Sequence, residues 1–310
     1  MKVLSGLLLL GLMSCFKAEG QQNGPSLIVL GNVQDGGSPH IGCTKSCCKE
    51  LFRNPDKTRK VASLGLIDPE YKLNWLFDPT PDFPAQTKLL KNLSLFSNKE
   101  VPDGIFITHA HIGHYTGLMY LGREALNAKS VPVYAMPKMK QFLESSGPWS
   151  QLVGLNNIQI RPIEEAKEII LSPNVKVKAF KVPHRDEYSE TVGYLIEGPH
   201  KKALFIPDID KWSKWDKSIV EEIKKVDYAL IDATFYDAKE INNRPISEIP
   251  HPFVVESMKL FESLPKSEKD KIYFIHLNHT NPLLDPKSPQ TKTVLKNSFH
   301  IARFNQVLEL

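Results

Sequence analysis

Three histidines, His109, His111 and His114, lie within six residues, in the sequence THAHIGH (108–114). The preceding run GIFI (104–107) is β-branched and aromatic, which predicts a short buried strand. The histidines therefore follow the carboxyl end of a strand, where open α/β folds place ligands and where a loop lets several imidazoles converge. Imidazole binds zinc, iron, copper and nickel. Because the chain has only 10 histidines in 310 residues, this cluster predicts a metal site.

The composition is typical of a soluble globular protein, with 41% hydrophobic and 24% charged residues. The formal net charge is +4, and the lysines and arginines are scattered without a basic block. We therefore infer no nucleic-acid partner and expect a small-molecule substrate. Beyond the N-terminus, no apolar run is long enough to span a bilayer.

Residues 1–20 have the pattern of a signal peptide, with Lys2 before a short apolar run at 3–12. Two cleavage sites compete. The sequence LMSC (12–15) is similar to a bacterial lipobox, which would make Cys15 a lipidated first residue, whereas AEG (18–20) would serve ordinary signal peptidase. We favour the lipobox, although Met13 stands where a small residue is usual. The expectation is export, to the periplasm of a bacterium or as a membrane-anchored lipoprotein.

Short apolar runs predict many strands in each half of the chain, with fewer helices between them. Strands are predicted at 26–31, 62–67, 73–78, 104–107, 131–135, 158–162, 175–182, 191–197, 203–206, 227–232 and 271–277. Helices are predicted at 86–95, 118–126, 137–145, 216–225 and 252–264. This pattern favours an α/β sandwich of two mixed β-sheets with helices on the outer faces, in one domain over 25–310.

Further polar residues of metal-ligating type follow predicted strands. His184, Asp208 and His276 each come directly after a buried-looking run. Any one of them alone is an ordinary residue at a strand end. Their recurrence together with the histidine cluster predicts that they contribute to the same site.

The order and spacing of these residues resemble the metallo-β-lactamase superfamily. Its signature is His-x-His-x-Asp-His, followed by His, Asp and His on later strand ends. The cysteine-rich loop at 43–48 and the closing sequence FIHLNHTNP (274–282) are most similar to the coenzyme PQQ synthesis protein B family and to the cyclic phosphodiesterase of phosphonate breakdown. The resemblance covers essentially all of 25–310 and implies an αβ/βα sandwich, the metallo-β-lactamase fold.

The resemblance implies a ligand set for two metal ions. His109, His111 and His184 match the first site; His114 and His276 match the second, and Asp208 would bridge both ions. Asp78 resembles a strand-end aspartate that orients the metal-binding loop. Gly113 departs from the family, because it stands where a carboxylate ligand is expected, so one or two ions are both compatible with the sequence.

The activity implied is metal-assisted hydrolysis, with zinc activating a water molecule. Asp208 and His114 are the predicted catalytic residues, and iron or manganese are alternatives to zinc. A phosphodiester or related ester is the favoured substrate, and the absence of Gly-x-Ser-x-Gly argues against a serine hydrolase. Two other hypotheses stay open: an iron-dependent oxidative enzyme, which the Gly113 gap favours, and a non-catalytic metal-binding protein.

A second cluster, Cys43, Cys47 and Cys48, has an odd count for disulfides in an exported protein. One disulfide plus a free thiol is one interpretation, and an oxidising compartment favours it. A structural zinc is the other and needs a fourth ligand. The resemblance implies His279 in that role, and His40 is the alternative. We favour zinc, although the spacing of Cys47 differs from the family pattern.

Polar residues beside the predicted ligands are candidates for substrate binding, or for an ordinary solvated loop. They are Arg185, Asp186, Glu187 and Tyr188 after His184, and Asp35, Ser38 and His40 on the first loop. The remaining histidines, His200, His251 and His300, lack a metal-like sequence context, and we expect them at the surface.

Overall fold

The computed structural model describes residues 24–241 and 248–310. Over these residues the chain forms two seven-stranded mixed sheets. The signal peptide predicted at 1–20 lies outside the described residues, so it and the anchor at Cys15 stay predictions. The first sheet contains, in spatial order, β14 (Val307–Glu309), β1 (Ser26–Gly31), β2 (Ser63–Asp68), β3 (Leu73–Phe77), β4 (Gly104–Phe106), β5 (Val131–Ala135) and β6 (Ile158–Pro162). The second contains β13 (His300–Ile301), β12 (Ile272–Ile275), β11 (Tyr228–Asp232), β10 (Lys202–Ile206), β9 (Val192–Glu197), β8 (Lys176–Lys181) and β7 (Glu168–Ile170).

The two sheets have the same internal plan, with antiparallel pairing at one side and parallel pairing at the other. In the first sheet, β3 to β6 are parallel. In the second sheet, β10 to β13 are parallel. The carboxyl ends of parallel neighbours meet at one edge of a sheet, so side chains that follow β3, β4, β10, β11 and β12 are brought together there.

Side chains of each central strand alternate between two apolar layers. In β1, Leu27 and Val29 lie in the core between the sheets, whereas Ile28 and Leu30 face the outer layer of the first sheet. This two-residue period is the signature of a strand covered on both faces. The inter-sheet core also contains Phe77, whose ring stacks on another aromatic side chain from β4.

Helices lie outside the two sheets, and several of them cover the outer faces. The α-helices of the described residues are α1 (Ser46–Lys49), α2 (Phe83–Leu93), α3 (Ile112–Tyr115), α4 (Pro137–Ser145), α5 (Trp149–Gly154), α6 (Ile219–Lys224), α7 (Val254–Leu260), α8 (Lys266–Lys269) and α9 (Pro289–Lys296). Leu90 of α2 and Leu143 of α4 pack on the first sheet, while Ile223 of α6 and Val294 of α9 pack on the second. The predicted α/β sandwich with outer helices is therefore confirmed. Among the described residues, no helix has the length and apolarity that crossing a membrane requires.

Some predicted elements are shifted or were missed. The helix predicted at 118–126 begins earlier, as α3, and continues as a 3-10 helix at Thr116–Leu121. The helix predicted at 86–95 starts at Phe83, because a proline at the next position fits a first helical turn. The short strands β7, β13 and β14 were not predicted, since two or three residues are too few to show a period.

Candidate metal centre

Four predicted ligands converge at the first cluster, where loops after β4, β8 and β10 meet. Nε2 of His109 lies 2.9 Å from Nδ1 of His111, and Nε2 of His184 lies 3.3 Å from that same atom. The carboxylate of Asp208 lies 3.4 Å from Nε2 of His109 and 3.2 Å from Nε2 of His184. These donor atoms all lie within 4.8 Å of one another.

A second cluster shares Asp208 with the first. It contains His114, His276 and Asp35, with one donor atom from each within 4.8 Å of the others. Nε2 of His114 lies 3.1 Å from Oδ1 of Asp35, and Nε2 of His276 lies 2.9 Å from it. The carboxylate of Asp208 is 3.9 Å from Nε2 of His114. From the sequence, Asp35 was a candidate for substrate binding or for an ordinary solvated loop, so its position among the histidines is a finding of the structure.

The other nitrogen of each histidine is held by a neighbouring side chain. Nδ1 of His114 lies 2.8 Å from the buried carboxylate of Asp78, which also accepts hydrogen bonds from the backbone N–H and hydroxyl of Thr108. Nδ1 of His276 lies 3.0 Å from the hydroxyl of Thr234. Such contacts fix the tautomer and the ring orientation of a ligating histidine.

The same pattern extends to the first cluster. Nδ1 of His109 lies 2.9 Å from the Thr108 hydroxyl, and Nδ1 of His184 lies 3.2 Å from Asp210. His111 is reversed, since its Nδ1 faces the cluster and its Nε2 lies 3.2 Å from Glu187. All five histidines therefore present one nitrogen to the interior of the site and have the other in contact with an acceptor.

Two residues of the site have backbone conformations that non-glycine residues seldom adopt. Asp78 has φ 62° and His276 has φ 66°, both in the left-handed region. Each lies directly after a central strand, β3 or β12. Such strain costs about 1–3 kcal/mol per residue and persists where the surrounding structure fixes it, which is typical of functional sites.

The arrangement of donor atoms fits a metal ion. Because Thr234 donates its hydroxyl hydrogen to Asp232, its oxygen can accept from Nδ1–H of His276, which directs Nε2 of that ring at Asp35. Nε2 of His114 lies against the same oxygen of Asp35. Burial opposes protonation of His114, but Asp35 and Asp78 outweigh it and raise the pKa of His114 well above its usual range, so a cation that binds between these atoms would displace a proton. In addition, one buried oxygen of Asp208 makes no well-aligned hydrogen bond among the described residues, although Nε2 of His184 lies 3.2 Å from it.

The distances agree with this interpretation. Ligand nitrogens about 2.0–2.1 Å from a tetrahedral zinc ion lie about 3.3 Å apart, close to the 2.9–3.3 Å observed between the imidazoles of the first cluster. Burial, with the adjacent His114, holds the pKa of His109 well below its usual range, so the ring is in the neutral form that ligates. Burial opposes ionisation of Asp208, but His251 and His184 outweigh it and hold its pKa well below the usual range.

The prediction that His251 lies at the surface is wrong. Its Nδ1 lies 2.8 Å from Asp232 and 3.1 Å from Asp208, and its side chain is only 13% exposed. Burial opposes protonation of the ring, but Asp232 and Asp208 outweigh it and raise its pKa to about 10. His251 precedes α7 rather than following a strand, so the strand-end pattern did not find it. His200, in contrast, is exposed, as expected.

The cysteine loop forms a compact group with His279. Sγ of Cys47 lies 3.8 Å from that of Cys43 and 3.9 Å from that of Cys48. Thiolates about 2.3 Å from one tetrahedral zinc ion lie about 3.8 Å apart, so the spacing fits the zinc interpretation. A donor atom of His279 lies within 4.8 Å of the three sulfurs.

The two histidines proposed for the fourth position of this group are now distinguished. His40 instead directs its Nδ1 to the carbonyl of Ile41 and stacks on the ring of His279 at 4.3 Å. Burial and the nearby His40 lower the pKa of His279 to about 4, so this ring is neutral. Burial and the neighbouring Cys43 raise the pKa of Cys47 to about 12, so zinc binding there would release a proton.

The polar residues predicted beside the ligands line the mouth of the site. A cavity of about 620 Å³ is lined by Asp35, His111, Arg185, Glu187 and Tyr188, among others. A second cavity, of about 720 Å³, extends from His251 to the cysteine loop. Of the other predicted residues, Asp186 accepts a hydrogen bond from Thr191, and Ser38 accepts one from Arg59.

Comparison with known proteins identifies the family. The family profile described as "Beta-lactamase superfamily domain" matches residues 74–277, which is more than half of the chain. This chain belongs to the beta-lactamase superfamily. The two seven-stranded sheets match the metallo-β-lactamase fold, and membership of this superfamily of metallo-hydrolases supports an enzyme.

Similar members of the superfamily cover the chain nearly end to end. Coenzyme PQQ synthesis protein B (PqqB) from Methylobacillus flagellatus is 24% identical over 88% of this chain and 96% of that protein. Zn²⁺-bound PqqB from Methylobacterium extorquens has a TM-score of 0.72 at 19% identity, covering 92% of this chain and all of that one. A diphosphatase from the PhnP family has a TM-score of 0.62 at 23% identity, covering 92% of this chain and 97% of that one. At these identities the two solved structures show the shared superfamily fold.

Proposed function

We propose that this chain is a metal-dependent hydrolase that uses a metal-activated water to cleave a phosphodiester or a related ester. The observation that carries the proposal is the position of Asp208. Its carboxylate belongs to both histidine clusters, so two cations held by these clusters would share it. Paired cations bridged by a carboxylate are suited to stabilise both the attacking and the leaving oxygen of a displacement reaction.

Each cluster supplies ligands of the type that zinc prefers. We assign His109, His111, His184 and Asp208 to one zinc ion, and His114, His276 and Asp208 to a second. Bound zinc supplies a Lewis acid and lowers the pKa of a water molecule to about 7. The protein's own contribution is to orient these imidazoles, through Asp78, Thr108 and the other contacts behind the rings, so that each presents one nitrogen to an ion.

Two residues are placed to act on the substrate itself. The Nδ1 of His251 is occupied by Asp232 and Asp208, which leaves Nε2 for a ligand in the adjoining cavity. We propose that it donates a hydrogen bond to the leaving oxygen. Arg185 lines the other cavity and is 62% exposed; its ion pair with the exposed Glu187 is long, at 3.8 Å, so a phosphate oxygen can compete for its guanidinium.

The cavities support a small organic substrate. Exposed Ile112 and Tyr188 border the mouth beside Arg185, which combines apolar surface with one positive charge. A monoanionic ester with an apolar substituent has matching chemistry. The PhnP-family diphosphatase among the structural neighbours is consistent with phosphate chemistry, but that activity is known here only for the neighbour.

A second candidate is an iron-dependent oxidative enzyme, favoured by the end-to-end similarity to PqqB. Histidine-rich sites accept iron as readily as zinc. The lack of a carboxylate at Gly113 no longer favours this candidate, because the carboxylate of Asp35 lies next to that position.

The test is metal content together with activity on a generic phosphodiester, bis(4-nitrophenyl) phosphate. We expect zinc and phosphodiester hydrolysis in the native protein, and loss of one or two active-site ions together with the hydrolysis in His109→Ala. His200→Ala is the matched control, since that ring is exposed and distant from both clusters, and it should retain both. Iron at the His109-dependent site with consumption of dioxygen would favour the oxidative candidate. A protein without His109-dependent metal would refute the proposal.

A further inference from the structure

Asp35 stands beside the two histidines of the second cluster although it comes from a distant part of the chain. It lies in the loop after β1, whereas the signature histidines follow β4. Its Oδ1 is 2.9 Å from Nε2 of His276 and 3.1 Å from Nε2 of His114. Its side chain is 19% exposed, so the carboxylate reaches the interior of the site from the solvent side.

The backbone fixes this approach. Leu277 donates its N–H to the carbonyl of Asn32 at 2.7 Å, and Gln34 donates to the carbonyl of Leu277 at 2.9 Å. Asp35 directly follows Gln34, and His276 directly precedes Leu277. The backbone pairing of Gln34 with Leu277 therefore holds Asp35 next to His276.

Asp35 also explains the glycine in the histidine motif. A Cβ at Gly113 would lie 2.5 Å from Cγ and 2.6 Å from Cα of Asp35, well inside the roughly 3.5–4.0 Å of a carbon contact. Gly113 does not have a positive φ, so its own backbone conformation would accept a side chain. The space beside position 113 is filled by Asp35, and the two side chains exclude each other.

Resting on the proposed function for the histidines as ligands, we infer that Asp35 is the carboxylate ligand of the second metal ion. It replaces the carboxylate that the superfamily signature carries at position 113. The second site is then complete, with two imidazoles, Asp35 and the shared carboxylate of Asp208. The chain binds two ions in spite of its altered motif.

The orientation of the two rings agrees with this assignment. Asp78 contacts Nδ1 on the far side of the His114 ring, so Nε2 is the nitrogen directed at Asp35. The rings of His114 and His276 lie 5.2 Å apart, and both direct Nε2 at the same oxygen of Asp35. One divalent cation satisfies both lone pairs and the carboxylate together.

The experiment measures zinc stoichiometry by elemental mass spectrometry and second-ion affinity by competition with a chelator. Asp35→Ala should lose one active-site ion. The affinity for that ion should fall by more than roughly 100-fold, which is the upper end of the loss seen when a contact behind a metal ligand is removed. Asp35→Asn keeps the shape and removes the charge, so it should lower the affinity in the same direction. Asp216→Ala, which removes an exposed carboxylate outside the cluster, should leave both quantities unchanged.

Gly113→Ala provides an independent test, because it removes no donor atom. The added methyl should displace the loop that carries Asp35 and lower the second-ion affinity. The double variant Asp35→Ala with Gly113→Ala should then be no worse than the poorer single variant, since both act on the same carboxylate. Gly154→Ala is the control, because a Cβ there meets open space.

Retention of the second ion, with affinity within threefold of native in both Asp35→Ala and Asp35→Asn, would overturn the inference. The proposed function has a separate failure, which is the absence of any His109-dependent ion from the native protein. A single His109-dependent ion that is unaffected by either Asp35 variant would leave the hydrolase proposal standing and refute only the role of Asp35.

Discussion

Asp78→Asn is the sharpest test of how the site fixes its tautomers. Asp78 is fully buried and accepts from three donors: the backbone N–H and the hydroxyl of Thr108, and Nδ1 of His114. Asparagine has nearly the same shape and tolerates the left-handed conformation observed here, so the backbone should survive. It has one acceptor oxygen instead of two, and its amide nitrogen is a donor.

Neither orientation of the new amide serves all three partners. If the amide oxygen stays with the Thr108 N–H, the NH₂ group faces His114, whose Nδ1 must then accept. The proton of a neutral ring moves to Nε2, which removes the lone pair from the second metal site. Loss of such a supporting contact typically costs 10–100-fold in metal affinity, or about 1.4–2.7 kcal/mol.

The assay is chelator competition for the second ion, together with urea unfolding of the metal-free protein. We expect the affinity to fall about 10–100-fold and the free energy of unfolding to fall by about 1.5–3 kcal/mol for a lost charged hydrogen bond. Asp68→Asn is the control, because Asp68 is equally buried but ends β2 at the other edge of the sheet, where it accepts from Ser172. It should lower stability without changing affinity. Equal affinities in the two variants would refute the tautomer argument.

Three further predictions follow from side chains around the ligands. Thr234→Val should weaken the second ion about 10–100-fold by removing the hydroxyl beside His276, while Thr234→Ser should keep it, both measured by chelator competition. Glu187→Gln should change first-ion affinity by less than about tenfold, because its contact to His111 is half exposed and screened by water. Cys43→Ser should lose one zinc ion, and with it about 2.7 kcal/mol of stabilisation at zinc 100-fold above Kd, measured by unfolding with and without chelator. A reductant-sensitive, zinc-independent loss would instead support a disulfide.

The candidate ligands at strand ends were predictable because the end of a buried strand is visible in the sequence, as the point where an apolar run stops. His184, Asp208 and His276 each follow an apolar segment in the sequence. The parallel order of β10 to β12 brings the ends before Asp208 and His276 to one edge, and β8, two antiparallel steps from β10, ends at the same edge before His184. The strand-end pattern was therefore enough to assign these residues to one site with the histidine cluster. The division of the ligands into two groups, and the supporting role of Asp78, were implied by the resemblance to the superfamily.

Asp35 and His251 were not predictable in this way, because each reaches the site from a loop. Asp35 is separated from His114 by 79 positions, and nothing in its local sequence indicates a ligand. The available signal was indirect: a glycine at 113 leaves a two-cation site short of one negative charge, so a carboxylate from elsewhere was required. His251 reaches the site from a loop before α7, and only the tertiary pairing of its ring with Asp232 reveals it.

The position of Asp35 also links the second metal site to the cysteine loop. The segment that carries Asp35 continues to Cys43, and the segment that carries His276 continues to His279. Backbone pairing of Gln34 with Leu277 joins the two segments next to the active site, and the cysteine–histidine group joins them again at its far end. A loop that is fixed at both ends loses less conformational entropy when one of its side chains binds a metal ion. A zinc ion in the cysteine loop would therefore act at a distance, by keeping Asp35 in place for the ion that it binds.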